Sequence, residues 1–367
     1  MSEESRQQVV NEVGAIDRAA ILAAQLPNGA YPASAEFSQY GHCWLRDGSF
    51  IAYAADRAGL HDSAARFHDW VGRCVTAQAD TVRELIARRH AGTPISEFEF
   101  LPARFTLKGE WQRDGWPNFQ LDGYGQWLWS LANHLDLTGA PALPAKLSAA
   151  VATVVDYLEE FWDEPCYDCW EEFRSQLHTA TLASISAGMT AIARYLPPEA
   201  GTRAAATGGA ARDVVLTECV VDGHFVKHIG NEEVDASLVW LATPFGLVDA
   251  DDPVLRATVA KIERDLVVDH GTSRYRADTY YGGGEWLILS ASLAWFHARD
   301  GRPDAALAYL DWIEGRRLPD GSLPEQVPRL HHNVRFFEHW TRNWGASASP
   351  LVWSHAMALV ARLELSR

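Results

Sequence analysis

Apolar residues recur at intervals of three and four along almost the whole chain, and this spacing is the strongest constraint on the fold. In one segment the series runs through Leu121, Tyr124, Leu128, Leu131 and Leu135. Because an α-helix turns once in about 3.6 residues, such a series lies on one helical face that packs against a core. Helices are predicted on this basis at 4–25, 48–59, 62–78, 123–137, 144–162, 176–195, 203–218, 233–242, 252–267, 285–299, 303–316 and 350–365.

Strand signals are sparse, and the best is a hairpin cue at Asp222-Gly223. Two predicted helices that are far apart, 62–70 and 304–312, resemble one another in sequence. Repeated helices of this kind fit a toroid of helical hairpins, in which each pair packs on its neighbours. Chance similarity between two amphipathic helices is the alternative. The sequence therefore predicts an all-α, toroidal protein.

The predicted helices are joined by loops of very uneven length. Long irregular loops inside a compact domain are usually functional. Here they follow alternate helices, so in a toroid they emerge on one face, where we place the site. No Pro- or Ser-rich linker divides the chain, and we expect a single catalytic domain over 1–367 without a separate carbohydrate-binding module. The long loops are 31–47, 91–122, 163–175, 269–284 and 317–349.

Charge and composition exclude two classes of partner and favour a third. The chain carries 48 acidic and 32 basic residues, a formal net charge of -16 at pH 7, which repels nucleic acid and anionic membranes. It also holds 15 tryptophans, many beside Gly, Asp, Glu or Arg. Such rings can stack on the flat faces of neutral sugars, although core filling is the alternative for any one of them. We expect a small neutral oligosaccharide as partner.

The N-terminus and the cysteines indicate the compartment. Residues 1–6 are polar and charged, whereas a secretory signal needs an apolar segment. The cysteines number five, so a full disulfide framework is not indicated. We expect a cytoplasmic protein with reduced thiols.

Two of the long loops carry a carboxylate beside a predicted helix start. Arg46 and Asp47 follow Trp44 in the first loop, and Asp122 closes the second, six residues after Trp116. An arginine beside a carboxylate can exchange hydrogen bonds with a polyhydroxylated ring, and a tryptophan can wall the pocket. For both aspartates, simple capping of the following helix is the alternative interpretation.

The third loop concentrates acidic residues among aromatic ones. Asp168, Glu171 and Glu172 lie within one short stretch that also contains Trp170. Such crowding raises the pKa of at least one carboxyl group through like-charge repulsion and apolar contact. A raised pKa is what a general acid needs near neutral pH. A solvated acidic turn is the alternative.

Three other patterns carry no chemistry of their own. Cys166-x-x-Cys169 resembles half a zinc site, but no second pair exists. The glycines at 282–284 lack the Lys-Ser/Thr that follows in a phosphate loop. Glu325 stands in a loop where a lone glutamate is normally just exposed. We expect no metal and no cofactor.

Six short motifs occur in a characteristic order along residues 40–354. They are Trp44-Leu-Arg46-Asp47, Trp116 with Asp122-Gly123, Trp170-Glu171-Glu172, Arg274-Tyr275-x-x-Asp278-x-Tyr280-Tyr281 with Trp286, Glu325-Gln326, and Trp353-Ser354. Together they resemble glycoside hydrolase family 15, the glucoamylases and related bacterial glucohydrolases. The fourth motif is the most specific of them.

The resemblance implies an (α/α)6 barrel of six inner and six outer helices, with the pocket at the barrel mouth. It also implies inverting hydrolysis, with Glu171 as general acid and Glu325 as general base. Arg46 and Asp47 would bind the non-reducing-end glucose, and the Tyr40 hydroxyl would support the developing cation. The other substrate-binding residues that we carry over are Trp44, Trp116, Asp122, Asp168, Trp170, Glu172, Arg274, Asp278, Trp286, Gln326 and Trp353.

The expected substrate is a short α-glucoside from which β-glucose is released at the non-reducing end. No secretion signal, starch-binding module or N-terminal β-domain is recognised, so we favour isomaltose over polymeric starch. Loop 327–349 could reshape the outer subsites through His331, His332, Arg335, Phe336, Phe337 and Trp340. Hydrolysis of α-1,4-linked malto-oligosaccharides is the close alternative. A disaccharide phosphorylase and a non-catalytic sugar-binding protein on the same barrel are more distant ones.

Overall fold

The computed structural model of the protein describes residues 3–329 and 333–366. The described residues form thirteen α-helices: α1 (Glu3–Ala24), α2 (Leu45–Arg57), α3 (His61–Thr76), α4 (Ala79–His90), α5 (Asp122–Leu137), α6 (Ala145–Phe161), α7 (Thr179–Ile192), α8 (Pro198–Glu218), α9 (Pro253–Leu266), α10 (Leu287–Arg299), α11 (Pro303–Glu314), α12 (Val334–Trp344) and α13 (Val352–Leu365).

The strands are short and pair two by two. Within the described residues they make four antiparallel ribbons: β1 (His42–Trp44) with β2 (Arg104–Thr106), β3 (Val220–Val221) with β4 (His224–Phe225), β5 (Val267–Val268) with β6 (Gly271–Thr272), and β7 (Glu285–Trp286) with β8 (Gln326–Val327). Asp222 and Gly223, both with positive φ, turn between β3 and β4, so the predicted hairpin is present.

Six elements form a closed inner ring. In order around the ring they are α2, α5, α7, a 3-10 helix at Ala236–Leu241, α10 and α13, and α13 packs again on α2. Helices α1, α3, α6, α8, α9 and α11 lie outside this ring, as when α3 packs on α2 and α8 packs on α7. The predicted all-α (α/α)6 barrel is confirmed. The similar segments 62–70 and 304–312 belong to two outer helices, α3 and α11.

Burial explains which helices are inner. Every residue of α10 from Leu287 to His297 is buried, whereas α3 buries one face and leaves polar residues on the other. A helix that is surrounded by protein must be apolar or small on all sides, and an outer helix only on one. Inner helices α5 and α7 approach most closely at two glycines, because a Cβ at Gly188 would overlap the carbonyl oxygen of Gly125.

Three elements differ from the sequence prediction. Helix α4 was not predicted, because it is polar and buries only Val82 and Leu85. Helix α12 lies inside the predicted loop 317–349, and none of its described residues is buried. The predicted α-helix at 233–242 is a 3-10 helix, which begins where the Asp235 side chain accepts a hydrogen bond from the Ser237 backbone N–H. His331 and His332 lie outside the described residues.

None of the described helices is both long enough and apolar enough to cross a lipid bilayer.

Candidate active site

A cavity of about 370 Å³ opens where the inner helices begin, and its size is within the range of small-molecule sites. Asp47 in the first turn of α2, Trp286 just before α10 and Trp353 in the first turn of α13 all line it. Side chains from each of the five predicted loops reach the same cavity. The lining residues are Ala33, Phe37, Gln39, Tyr40, Trp44, Arg46, Asp47, Trp116, Pro117, Cys169, Trp170, Glu171, Glu172, Arg274, Tyr280, Trp286, Glu325, Trp340, Trp344, Leu351 and Trp353.

Glu171 projects from a tight turn in the third loop. The Asp168 carboxylate accepts hydrogen bonds from the backbone N–H groups of Trp170 and Glu172, at 3.0 and 2.9 Å, which fixes the turn. Glu171 itself has a φ of 68°, in the left-handed region that favours glycine. The turn therefore presents the carboxyl group to the cavity at some cost in backbone energy.

One oxygen of Glu171 is held by neighbouring side chains. Trp44 Nε1 donates to Glu171 Oε1 at 2.6 Å, and Gln120 Nε2 donates to the same oxygen at 3.2 Å. The Arg46 guanidinium lies 3.9 Å from it. No described residue donates a hydrogen bond to Oε2, so that oxygen is available to a ligand in the cavity.

Glu325 immediately precedes strand β8, which pairs with β7 at the start of α10. The Leu287 backbone N–H donates to the Glu325 carbonyl at 3.2 Å, and this bond ties the residue to the start of α10. Its carboxylate accepts a hydrogen bond from the Tyr40 hydroxyl at 2.8 Å and one from Gln326 Nε2 at 3.3 Å. Tyr40 is in turn 2.8 Å from the Tyr280 hydroxyl.

Burial changes the acidity of Glu325. The residue is 3% exposed, and removal from water raises the pKa of its carboxyl group to about 7, although Tyr40, Gln326 and Arg274 all work in the opposite direction. A carboxylate with such a pKa is a stronger base than an ordinary glutamate. It can still be ionised near neutral pH.

Arg46 and Asp47 lie side by side at the start of α2. Arg46 NH1 donates to Gln120 Oε1 and to Asp122 Oδ2, both at 2.9 Å. Burial, reinforced by the charge of Glu171, raises the pKa of Asp47 to about 7, although Arg46 opposes this rise. After Glu325, Asp47 is thus a second carboxyl group of the cavity with a pKa close to neutral pH.

The fourth motif places Arg274 between two carboxylates. Arg274 Nε donates to Asp278 Oδ2 at 2.8 Å, and its NH2 group donates to Glu172 Oε1 at 3.4 Å. The Tyr275 hydroxyl donates to the other oxygen of Glu172. Burial raises the pKa of Glu172 even though Arg274 and Tyr275 favour its charged form. Glu172 thus has a raised pKa mainly because it is buried, and repulsion by Asp168 is a smaller cause.

Aromatic rings wall the cavity and are themselves braced from behind. The guanidinium of Arg104 lies 3.7 Å from the ring centroid of Trp116. Trp353 stacks on Phe50 with ring centroids 5.3 Å apart. Trp170 Nε1 donates to Asp235 Oδ2 at 2.9 Å. These contacts hold the rings before any ligand arrives.

A buried ion pair that the sequence did not indicate lies behind Trp170. Lys227 Nζ is 2.6 Å from Asp235 Oδ2 and 2.9 Å from Asp168 Oδ2. Burial alone would raise the pKa of Asp168, but Lys227, His178 and hydrogen bonds hold it below its usual value. No spacing along the chain connects Lys227 with Asp168, so only the fold reveals their contact.

The structure places most of the predicted site residues on the cavity wall and four of them behind it. The four are Asp122, Asp168, Asp278 and Gln326, none of which lines the cavity. Their polar atoms bond to Arg46, Lys227, Arg274 and Glu325, so they position other groups instead of meeting a ligand.

The capping alternative does not hold for the two aspartates. Trp44 and Leu121 occupy the N-cap positions of α2 and α5, and neither helix has a side-chain cap there. Asp47 and Asp122 both lie inside the first helical turn.

Several lining residues were not predicted as site residues. Tyr280 belongs to the Tyr-Tyr pair of the fourth motif, so the motif itself could have indicated it. Trp340 and Trp344 lie on α12, inside the loop that was expected to reshape the outer subsites. Phe37 and Gln39 lie in the first loop, where no motif marks them. Cys166 and Cys169, the half zinc pattern, are buried free thiols, and burial raises the pKa of Cys166 to about 12.

Comparisons with known proteins agree with this geometry. The family model for glycosyl hydrolases family 15 matches residues 5–302. An isomaltose glucohydrolase from Kribbella flavida is 43% identical over 362 residues, 97% of this chain and 93% of that protein. A glycosidase solved in complex with glucose is 40% identical, with a TM-score of 0.93 over 100% of this chain and 99% of that one.

A more distant neighbour shows the same fold. A bacterial glucoamylase complexed with acarbose is 18% identical and has a TM-score of 0.76, covering 98% of this chain and 56% of that chain. Motif order, barrel architecture and family match agree, and the chain therefore belongs to glycosyl hydrolase family 15.

Proposed function

We propose that the protein hydrolyses isomaltose and short isomalto-oligosaccharides from the non-reducing end with inversion, releasing β-glucose. The observation that carries the proposal is that Glu171 and Glu325, from loops far apart in the chain, line one cavity of small-molecule size. Inverting hydrolysis needs two carboxyl groups on opposite faces of the sugar, about 6.5–9.5 Å apart, with a water molecule between one of them and the ring.

Glu171 is the general acid in this proposal. Trp44 and Gln120 hold its Oε1, and Oε2 carries the proton that passes to the glycosidic oxygen as the bond breaks. Arg46, 3.9 Å away, stabilises the carboxylate that remains after the transfer.

Glu325 is the general base. Its hydrogen bond from Tyr40 orients the carboxylate, and burial gives it a pKa of about 7, so it is ionised above that pH and accepts the proton from the attacking water. Tyr40, which bonds to this carboxylate, also lies where its hydroxyl oxygen can face the positive charge that develops on the sugar ring.

A glucose ring bound between the two acids would meet both polar and apolar groups. Arg46, Asp47 and Arg274 offer hydrogen bonds to its hydroxyls, and Trp170 and Trp286 offer flat apolar faces. Isomaltose is favoured because the relative from Kribbella flavida, similar over nearly its whole length, is named for that substrate. A glucose complex of a structural neighbour supports a monosaccharide-sized subsite.

Initial rates on isomaltose, maltose, trehalose and soluble starch test the linkage. Isomaltose should give the highest kcat/KM, and the α-1,4 alternative would give it to maltose. Proton NMR of the first product distinguishes inversion, which releases β-glucose, from retention, which releases α-glucose.

The distant alternatives need two further measurements. A phosphorylase would release a sugar phosphate only when phosphate is added, and a binding protein would bind isomaltose without turnover. Release of free glucose at the same rate with and without phosphate excludes both of them, and retention at the anomeric carbon would contradict the assigned mechanism.

A further inference from the structure

Three side chains of types that can bind a metal ion meet at the end of the barrel opposite the cavity. They are Asp56 near the end of α2, His68 on α3 and His134 in the last turn of α5, and one ligand atom of each lies within 4.8 Å of the others. Asp47 lies nine residues earlier on α2, roughly 14 Å along the helix axis, so this cluster is separate from the sugar site.

The cluster is largely buried, and a hydrogen bond joins two of its three members. The side chain of Asp56 is fully buried, and that of His134 is 12% exposed. His134 Nδ1 lies 2.9 Å from Asp56 Oδ2, and His61 Nδ1 lies 2.8 Å from Asp56 Oδ1. The carboxylate thus holds two imidazoles in fixed orientations.

His68 is the member of the cluster that lacks a partner. It is 1% exposed, and neither ring nitrogen forms a hydrogen bond with any residue that the structure describes. Its ring centroid is 5.2 Å from that of His134. Buried imidazole nitrogens nearly always have a partner, since leaving them without one is costly. A group that accepts the lone pair of His68 beside Asp56 and His134 would complete the cluster.

We propose that Asp56, His68 and His134 bind one divalent transition-metal ion, with zinc as the preferred ion. Two imidazole nitrogens and one carboxylate oxygen form a common zinc ligand set, whereas magnesium and calcium prefer oxygen ligands alone. The ion takes the place of the proton shared by His134 and Asp56 Oδ2, and a solvent molecule supplies the fourth ligand. His61 then orients the carboxylate from outside the first coordination shell.

The position of the cluster indicates a structural role. Its members come from two neighbouring inner helices, α2 and α5, and from the outer helix α3 that packs on both. An ion held there links three helices and binds only the folded chain. It therefore raises the temperature of unfolding without taking part in hydrolysis.

Metal uptake by the untagged full chain tests the proposal. After treatment with a chelator and gel filtration, Zn²⁺ is titrated by calorimetry, the metal content is measured by mass spectrometry, and the unfolding midpoint is recorded. We expect one Zn²⁺ per chain and a midpoint that rises by several degrees, and we expect Mg²⁺ to give neither. Saturating glucose should leave Zn²⁺ uptake unchanged, because the sugar cavity is elsewhere.

Variants locate the ion. His68→Gln and His134→Gln should each weaken Zn²⁺ binding at least about tenfold. His90→Gln is the matched control, because His90 is 67% exposed on α4 and should bind Zn²⁺ like the parent chain. Failure of the parent chain to take up Zn²⁺ overturns the proposal without any variant. Unchanged uptake in folded His68→Gln and His134→Gln chains also overturns it.

Discussion

At the scale of single residues, the site depends on carboxyl groups whose surroundings differ. Glu171 is held by two N–H donors on one oxygen, whereas Glu325 accepts a hydrogen bond from the Tyr40 hydroxyl and is almost fully buried. Different surroundings allow one glutamate to release a proton while another accepts one. The two roles can be tested separately.

Replacing either glutamate by glutamine removes proton transfer and keeps the shape of the side chain. We expect Glu171→Gln and Glu325→Gln each to lower kcat on isomaltose by at least about 10²-fold. Binding of glucose, measured by calorimetry, should change little. Glu110→Gln, at an exposed position outside the cavity, is the control and should keep full turnover. Full activity in either site variant would remove that residue from the mechanism.

The raised pKa of Glu325 sets the acid limb of the pH profile. Because a general base must be ionised, kcat/KM on isomaltose should fall as the pH drops below about 7. The Tyr40 hydrogen bond lowers this pKa, so Tyr40→Phe should move the acid limb to higher pH. Tyr195→Phe, which loses a hydroxyl bonded to Asp136 outside the cavity, should leave the limb in place. An unmoved limb in Tyr40→Phe would assign the limb to Asp47, whose pKa is also raised to about 7, and would contradict the assignment of Glu325 as base.

The sequence motifs indicate individual residues of the site, but they do not indicate the contacts between those residues. Arg46, Glu171 and Arg274 were identified from short patterns, because the chemistry of these side chains is visible in one stretch of chain. The hydrogen bond between Tyr40 and Tyr280 and the ion pair between Lys227 and Asp168 join segments that are distant in sequence. Such pairs are determined by the closure of the ring, and no local pattern encodes them.

At the scale of elements, α12 is the part of the site that the sequence prediction missed. Trp340 stacks on Tyr281 with centroids 5.9 Å apart and meets Tyr280 edge-on at 5.0 Å. Trp344 is 44% exposed at the same cavity. Phe337, Trp340 and Trp344 recur at helical spacing, but none of the described residues of α12 is buried, and the segment was predicted as part of a long loop.

Because α12 lies at the wall of the cavity, we expect it to contact the sugar unit that follows the first glucose. Trp340→Ala removes an aromatic face at the cavity wall, and such a contact is worth roughly 0.5–1.5 kcal/mol. We expect KM for isomaltose to rise about 3- to 10-fold, with a smaller change in kcat. Trp111→Ala is the control, since Trp111 packs under Arg113 outside the cavity. An equal effect of both variants on KM would argue against contact between α12 and the substrate.

At the scale of the whole molecule, the closed ring depends on how closely its inner helices approach. Apolar periodicity predicted most of the helices, because apolar spacing reports burial directly, and the similarity of two distant helices indicated a toroid. The family resemblance implied six inner and six outer helices, and the structure gives the order of contacts around the ring. Gly125 and Gly188, where α5 meets α7, gave no signal in the sequence, since a glycine inside a helix otherwise weakens it.

A methyl group at this contact should damage the barrel. We expect Gly188→Ala to lower the free energy of unfolding by about 1–3 kcal/mol, because its Cβ would overlap backbone atoms of α5. Gly209→Ala on the outer helix α8 is the control, because a Cβ added there would meet no atom of a packed neighbour among the described residues within 4 Å. That control should gain about 0.5–1 kcal/mol. Urea unfolding of the three chains measures both changes, and equal stability of Gly188→Ala and the parent would show that the two helices can separate freely.

The left-handed backbone conformation of Glu171 lowers the stability of the folded chain, whereas the proposed mechanism requires a carboxyl group at this position. A side chain in that conformation costs roughly 1–2 kcal/mol that glycine would not. A library randomised at position 171 and selected only for survival of heating should therefore become enriched in glycine, and every such clone should be inactive on isomaltose. Efforts to make this enzyme more heat-resistant would have to exclude that position from the search.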